Sequence, residues 1–124
     1  MPKQLYFRQF LGLVAAFAIF AGLFCLGSQV RADDRLLMIT SDSCPWCEAF
    51  EDEVGTAFNE TDEGQRFPLQ RIDIMAKIPA EYNVNGGATF TPTFIVVKDN
   101  KEVGRIEGYP GQELFWWRLS EFIH

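Results

Sequence analysis

Histidine and cysteine are scarce in this chain, which limits the metal sites that the sequence can build. The only histidine, His124, is the last residue, and cysteine occurs three times, at Cys25, Cys44 and Cys47. A closed structural zinc site needs about four such ligands, and covalent haem attachment needs a histidine directly after a cysteine pair. Glu48 occupies that position here. The sequence therefore predicts no zinc site, no haem and no other bound cofactor.

Basic residues are also few. The 124 residues include 11 Lys and Arg against 17 Asp and Glu, a formal charge of −6. Three of the basic residues lie at the N-terminus, and without Lys3, Arg8 and Arg31 the 8 that remain leave a formal charge of −9. Such a domain repels phosphate backbones, so we expect no nucleic-acid partner.

The N-terminus has the pattern of an export signal. Lys3 and Arg8 precede a run of seventeen apolar or glycine residues, Phe10 to Leu26, and Val30-Arg31-Ala32 provides a small-residue cleavage site. Residues 1–32 are therefore predicted to be a signal peptide. An uncleaved anchor stays an alternative, because seventeen residues lie at the lower edge of what spans a bilayer. Both interpretations export the domain, and we expect a periplasmic location.

The remaining residues, 33–124, number 92 and suffice for one small domain with a single core. Apolar runs, alternation and helical spacing predict an α/β order. The predicted elements are a strand at 35–40, a helix from Cys44 to about Asn59, a strand at 68–74, one helical turn at 79–82, strands at 93–97 and 102–106 joined by an Asp99-Asn100 turn, and a helix from Gln112.

The last helix has a clear apolar face, which predicts packing on the sheet. Its members are Phe115, Trp116, Leu119, Phe122 and Ile123. Leu114 and Trp117 fall outside that face, and we interpret Trp117 as a packing residue under a loop, with partial exposure as the alternative.

Cys44-Pro45-Trp46-Cys47 is the motif that carries chemistry, because two thiols at this spacing can close and reopen a disulfide with little backbone movement. Ser41-Asp42-Ser43 offers N-cap oxygens and Pro45 suits a first helical turn, so Cys44 should begin a helix. A helix N-terminus favours a thiolate, which makes Cys44 the expected nucleophile and Cys47, one turn deeper and more shielded, the resolving thiol.

Two other interpretations of the pair stay open. An inert structural crosslink would constrain little of the unfolded chain, because the loop that it closes is short. A Cu(I) carrier would use the affinity of a soft ion for thiolates.

The cysteine pair beside a strand, helix and strand resembles the thioredoxin-like family. Thr91-Pro92 before a buried strand and Gly108 before the last helix agree with it. The resemblance implies a minimal thioredoxin-like fold, with a mixed sheet of about four strands and flanking helices. It also implies a cis peptide bond at Pro92 facing the disulfide, and Thr91 backbone groups that pair with a substrate strand.

The resemblance extends to a substrate surface around the cysteines. Pro45, Trp46, Pro92 and Gly108 are expected to line it, with Tyr109 completing a small apolar platform beside Trp46 and Pro92.

A narrower similarity covers most of residues 33–124. The Cys motif, Thr89 to Phe94 and Glu102 to Gly111 followed by Phe115-Trp116 resemble the periplasmic thioredoxin-like proteins of bacterial sulfur-oxidation (Sox) gene clusters. This similarity implies a thiol–disulfide oxidoreductase that keeps sulfur-carrier proteins of thiosulfate oxidation reduced. Its partners would be protein thiols, disulfides or persulfides, and a membrane thiol transporter would donate the electrons to what we expect to be a monomer.

The direction of electron flow follows from local charge. Acidic residues surround the cysteines in sequence, with no basic residue near them, which should leave the thiolate only modestly stabilised and favour a reductant. They are Asp42, Glu48, Glu51, Asp52 and Glu53. A disulfide-forming oxidant or isomerase is the alternative. Met38 stands where thioredoxins carry a buried acid, so the proton of the resolving thiol would go to Glu48 or to water.

Overall fold

The computed structural model describes residues 33–124. The predicted signal peptide lies outside the described residues. The elements are, in chain order, β1 (Arg35–Thr40), α1 (Pro45–Phe50), a π-helical turn (Glu51–Gly55), a 3₁₀ turn (Phe58–Glu60), α2 (Asp62–Arg66), β2 (Leu69–Asp73), β3 (Thr93–Lys98), β4 (Lys101–Glu107) and α3 (Gln112–Ile123).

The four strands form one mixed sheet in the order β2-β1-β3-β4. β1 pairs in parallel with β2, and the pairs β1 with β3 and β3 with β4 are antiparallel. Asp99 and Asn100 join β3 to β4 with φ of 51° and 63°, as a two-residue hairpin turn of the primed type requires. The predicted mixed sheet of about four strands with flanking helices is confirmed.

β1 is buried on both faces of the sheet, because successive side chains of a strand point to opposite sides. Leu36 and Met38 belong to the core under α1 and α3, which we call the helical face. Leu37 and Ile39 belong to a second core under the connection from Ile74 to Pro92, which we call the loop face. No helix of residues 33–124 is long and apolar enough to cross a membrane.

The single helix predicted from Cys44 to Asn59 is wrong in its second half. The α-helical pattern ends at Phe50, and the chain widens into a π-helical turn in which the Thr56 N–H donates to the Glu51 carbonyl over 3.3 Å. Arg71 of β2 holds this turn, since its guanidinium donates both to the Glu51 carboxylate and to the Gly55 carbonyl. Arg71 lies about twenty residues after Glu51, so the helical spacing of residues 44–59 gives no indication of this contact.

Two further predictions need correction in the connections. The segment before β2 contains α2, which the prediction missed although Thr61 caps it, accepting the Gly64 N–H over 3.0 Å. The predicted helical turn at Pro79 to Tyr82 is a hydrogen-bonded turn, with the Tyr82 N–H donating to the Pro79 carbonyl at 3.1 Å.

The apolar face of α3 packs as predicted. Phe115, Leu119 and Ile123 are buried, and Trp116 and Phe122 lie partly buried against the same core. The interpretation of Trp117 as a packing residue is wrong, because its side chain is 58% exposed.

Candidate active site

The two cysteines of the motif form a disulfide at the junction between β1 and α1. Their Cα atoms are 5.2 Å apart. Cys44 is the N-cap of α1, and its Sγ accepts a hydrogen bond from the Cys47 N–H at 3.2 Å. That N–H is one of the donors that a helix leaves without a partner in its first turn. Once the disulfide is reduced, the same donor favours negative charge on the Cys44 sulfur.

Both cysteines are nearly buried, whereas the residues between them are exposed. Cys44 is 6% exposed and Cys47 is 4%, so the difference in shielding that the sequence suggested is small. Pro45 lies at the surface in the first helical position, and Trp46 is 65% exposed and points outward as expected.

Three loops meet at this end of the sheet. The hydroxyls of Ser41 and Thr91 lie 3.0 Å apart, which joins the segment before Cys44 to the segment before β3. The Thr91–Pro92 peptide bond is cis, as the family resemblance implies. The Pro92 carbonyl accepts the Gly108 N–H at 2.7 Å, so the loop after β4 is held against the same segment.

Tyr109 differs from the expectation of an exposed apolar platform, because it is only 7% exposed. Its ring packs against Phe50 and Phe115, and its hydroxyl donates to the Glu53 carboxylate at 2.5 Å. Burial, and then the bond to Glu53, raise the pKa of Tyr109 above its ordinary value of 10. Tyr109 therefore supports the site from within the core.

Phe90 is the aromatic residue that the sequence prediction missed at this end. It is 60% exposed and directly precedes Thr91, and its carbonyl accepts the Thr93 hydroxyl at 2.7 Å. The available signal was a large apolar residue in a loop just before Pro92, outside any periodic segment.

The acidic surroundings of the site are weaker than the sequence suggested. Glu51 forms a two-pronged ion pair with Arg71, at 2.5 and 2.7 Å, and Glu53 accepts from Tyr109. Asp42 and Glu48 are exposed, and no basic side chain within residues 33–124 pairs with either of them. Asp42 lies two residues before Cys44 and Glu48 directly follows Cys47, so both place negative charge next to the cysteines in sequence.

Met38 occupies the position at which thioredoxins carry a buried acid. It is fully buried in the same core cluster as both cysteines, opposite Phe94 of β3. In the described part of the chain the buried residues include one polar side chain, Thr93. The core that surrounds Cys47 is therefore aliphatic and aromatic.

Within residues 33–124 no group of three or more His, Cys, Asp or Glu side chains is placed to hold a metal ion. A Cu(I) ion at this site would have the thiolates of Cys44 and Cys47 as ligands.

The fold and the disulfide define a thioredoxin-like thiol–disulfide oxidoreductase. A family model described as a thioredoxin-like domain matches residues 29–123, and the chain belongs to that family. The thioredoxin-like fold implies protein thiols or disulfides as substrates.

Two relatives narrow the comparison. The chain is similar to the crystal structure of the periplasmic thioredoxin SoxS from Paracoccus pantotrophus in its reduced form, with 36% identity and a TM-score of 0.70 over 73% of this chain and 96% of that one. It is also 29% identical over 76 residues to a "Disulfide bond formation protein" of Brevibacillus choshinensis, a match to 61% of this chain and 62% of that protein's length. The resemblance to the Sox thioredoxin-like proteins is thereby confirmed.

Proposed function

We propose that the domain is an exported reductant that keeps the thiols of partner proteins reduced, sulfur-carrier proteins of thiosulfate oxidation among them. The observation that carries the proposal is the position of Cys44, which caps α1 and whose sulfur accepts the Cys47 N–H, directly after a segment that Ser41 joins to Thr91. The SoxS relative is described as periplasmic, which agrees with the predicted signal peptide.

The reaction is a two-electron exchange in two steps. The Cys44 thiolate attacks one sulfur of a partner disulfide, forms a mixed disulfide with it and releases the other partner sulfur as a thiolate. Cys47, as its thiolate, then attacks the Cys44 sulfur, closes the Cys44–Cys47 bond and releases the second partner thiol. The partner is reduced and the domain oxidised, and a membrane thiol donor would restore the dithiol.

Met38 removes one route for the proton of Cys47. A buried carboxylate at that position would accept it, but the core here has none among its described residues. We propose that the proton leaves to water or to Glu48, which is exposed and follows Cys47 directly.

The charges favour the reducing direction. A strongly oxidising site stabilises its thiolate with helix and cationic contacts. Here α1 has six residues, Asp42 and Glu48 are exposed and flank the cysteines in sequence, and Arg71 is paired with Glu51. The thiolate is therefore only modestly stabilised, and the reduced form gives up its electrons more readily.

The reduction potential of residues 33–124, equilibrated with defined thiol buffers, tests the direction. We expect a value close to that of thioredoxin, about −270 mV, whereas a value near −120 mV would identify a disulfide-forming oxidant.

The roles of the two cysteines are tested by substitution. A Cys44→Ser variant should catalyse no thiol–disulfide exchange, and Cys47→Ser should accumulate the mixed disulfide with its partner. Tight one-to-one Cu(I) binding by a domain that transfers no thiols would favour a copper carrier instead.

A further inference from the structure

The two outer strands of the sheet, β2 and β4, differ in how their edges are protected. An open edge presents unpaired N–H and C=O groups, which folded proteins usually cover or distort. On β4 the Asn83 carbonyl accepts the Glu102 N–H at 3.0 Å, and the ladder with β3 is irregular at Val96 and Val97. The outer edge of β2 has no backbone partner among the described residues, and its pairing with β1 is regular.

The hydrogen bonds between β1 and β2 show which backbone groups of β2 face outward. The Leu36 N–H donates to the Pro68 carbonyl at 3.2 Å, and the Ile74 N–H donates to the Thr40 carbonyl at 2.8 Å. The even-numbered residues from 68 to 74 therefore face β1, and the odd-numbered residues between them direct their N–H and C=O groups to the outer edge. The outward-facing residues are Leu69, Arg71 and Asp73.

Two of these outward groups are already satisfied within the domain. The Asn59 side-chain oxygen accepts the Leu69 N–H at 2.9 Å, and the Asp73 carbonyl accepts the Ala76 N–H at 2.9 Å. No residue within 33–124 pairs with the other four groups, which are the Leu69 carbonyl, the N–H and carbonyl of Arg71, and the Asp73 N–H. The open part of the edge is short, and its donors and acceptors have a fixed order.

That order is complementary to itself. When two β2 strands pair antiparallel about Arg71, each Arg71 N–H faces the Arg71 carbonyl of the other copy, and each Asp73 N–H faces the other Leu69 carbonyl. These four bonds use every open group of both edges. The two groups that also face each other in this register, the Leu69 N–H and the Asp73 carbonyl, are those that already have partners.

We propose that β2 is an interface through which two copies of this domain join their sheets into one. The interface is isologous, because the same residues of both copies form it around a twofold axis at Arg71. This inference goes beyond the proposed function, and it replaces the monomer that we expected from the sequence.

The side chains of β2 are compatible with this pairing. Arg71 lies opposite Arg71 of the second copy, but each guanidinium is neutralised by Glu51 of its own copy, at 2.5 and 2.7 Å. Met75 directly follows β2 and is 90% exposed. In the pair it lies beside the residues that precede β2 in the second copy, and burying it there adds apolar stabilisation to the four hydrogen bonds.

Antiparallel pairing leaves both disulfides accessible. β1 runs parallel to β2, and the Cys44–Cys47 disulfide follows β1, so the two sites lie at opposite ends of the joined sheet. The net negative charge of each copy opposes association, and salt screens such repulsion. Because the interface is also small, we expect a weak dimer that strengthens with added salt.

Sedimentation equilibrium of the exported protein, produced from the full sequence, measures the association. The average mass should rise from that of one copy at about 1 µM toward that of two copies at about 1 mM. Added salt should move this rise to lower protein concentration. The mass of a single copy at every concentration and salt level overturns the proposal.

Two substitutions at one position separate the backbone contact from the side chain. Arg71→Pro removes the N–H at the centre of the interface and keeps the ladder with β1, because an edge strand tolerates proline where its N–H faces outward. Arg71→Ala removes the same guanidinium and keeps the N–H. We expect Arg71→Pro to weaken dimerisation at least about tenfold, and Arg71→Ala to change it by less than about threefold. Equal weakening by the two variants would contradict pairing through the backbone.

Amide hydrogen exchange of the wild type provides a test that does not depend on the folding of the proline variant. The Arg71 and Asp73 N–H groups should exchange more slowly as the protein concentration rises, whereas the N–H groups of β4 should keep the same rates. Protection of Arg71 and Asp73 that is already complete at low concentration would mean that another segment of the same chain covers this edge, and would refute the dimer.

Discussion

The two faces of the sheet are covered in different ways. On the helical face, α1 and α3 bury a cluster of aromatic rings, with Phe50 at 4.6 Å from Phe94 and 5.1 Å from Phe115 between ring centroids. Contacts of this kind depend on apolar burial and ring geometry. They change little with pH or salt.

The loop face is covered by the connection from Ile74 to Pro92, which has no regular helix or strand. Its apolar residues Ile78, Val84 and Ala88 pack on the core, but polar contacts hold its glycine-containing part. Arg105 of β4 pairs with Glu102 at 2.6 Å and also donates to the carbonyls of residues 85–87, and the Glu102 carboxylate accepts the Asn85 N–H.

The disulfide belongs to the helical face, since both cysteines are part of its core cluster. The site is therefore built on the face that responds least to solution conditions. The loop face contributes to stability through an ion pair that pH can switch. Substitutions on the two faces should thus have separable effects on stability and on thiol chemistry.

Phe115→Ala should have the largest effect. Phe115 is fully buried and its ring contacts those of Phe50, Phe94 and Tyr109. Removing a buried aromatic side chain costs about 3–5 kcal/mol, so we expect a loss of that size in the free energy of unfolding, measured with urea. Leu114→Ala, on the exposed side of the same helix, should cost less than about 0.5 kcal/mol. Equal losses for the two variants would contradict the assignment of the core.

Arg105→Ala should have an intermediate effect, confined to the loop face. It leaves the Glu102 side chain, which is 4% exposed, without its cationic partner. The Asn85 N–H still donates to one carboxylate oxygen, but the other loses its donor, and a buried acceptor without a partner costs about 1–3 kcal/mol. Amide exchange should accelerate in residues 85–87, while the reduction potential of the disulfide should stay unchanged.

Arg118→Ala is the matched control for Arg105. It breaks the ion pair with Glu121, in which both side chains are nearly half exposed, and such pairs contribute about 0–1 kcal/mol. A shift of the reduction potential in Arg105→Ala would show that the two faces are coupled.

Much of the helical face could be predicted from the sequence because its signals are local. The apolar run of β1, the turn residues at Asp99-Asn100 and the helical spacing of Phe115 to Ile123 each determine one element without reference to the rest of the chain. The Cys44 and Cys47 disulfide followed from their spacing, and the order of elements followed from these local signals.

The parts that could not be predicted depend on contacts between distant residues. Arg71 reaches across to Glu51 and stabilises the π-helical turn, and Tyr109 finds Glu53 fifty-six residues away. The prediction from the sequence placed Tyr109 on the substrate surface, but Tyr109 is buried. It did not place Phe90 there, although Phe90 is exposed. Charge counting along the sequence likewise overestimated the acidity of the site, because it did not include Arg71.

The smallest expected effect is the contribution of Glu102 to the free energy of unfolding. Its dependence on pH tests whether the ion pair stabilises the loop face. Burial disfavours its ionised form, but the bonds from Arg105 and from the Asn85 N–H outweigh burial and lower the pKa of Glu102 below its ordinary value of 4.5. The unfolded chain therefore binds this proton at a higher pH than the folded chain. The stabilisation is fully present above pH 4.5 and is lost as the pH falls through the folded pKa. Urea unfolding of the wild type and of Glu102→Gln should show a stability difference that shrinks as the pH falls below 4.5. A difference that is constant with pH would mean that the ion pair does not hold the connection in place, and that the loop face is stabilised by apolar burial in the same way as the helical face.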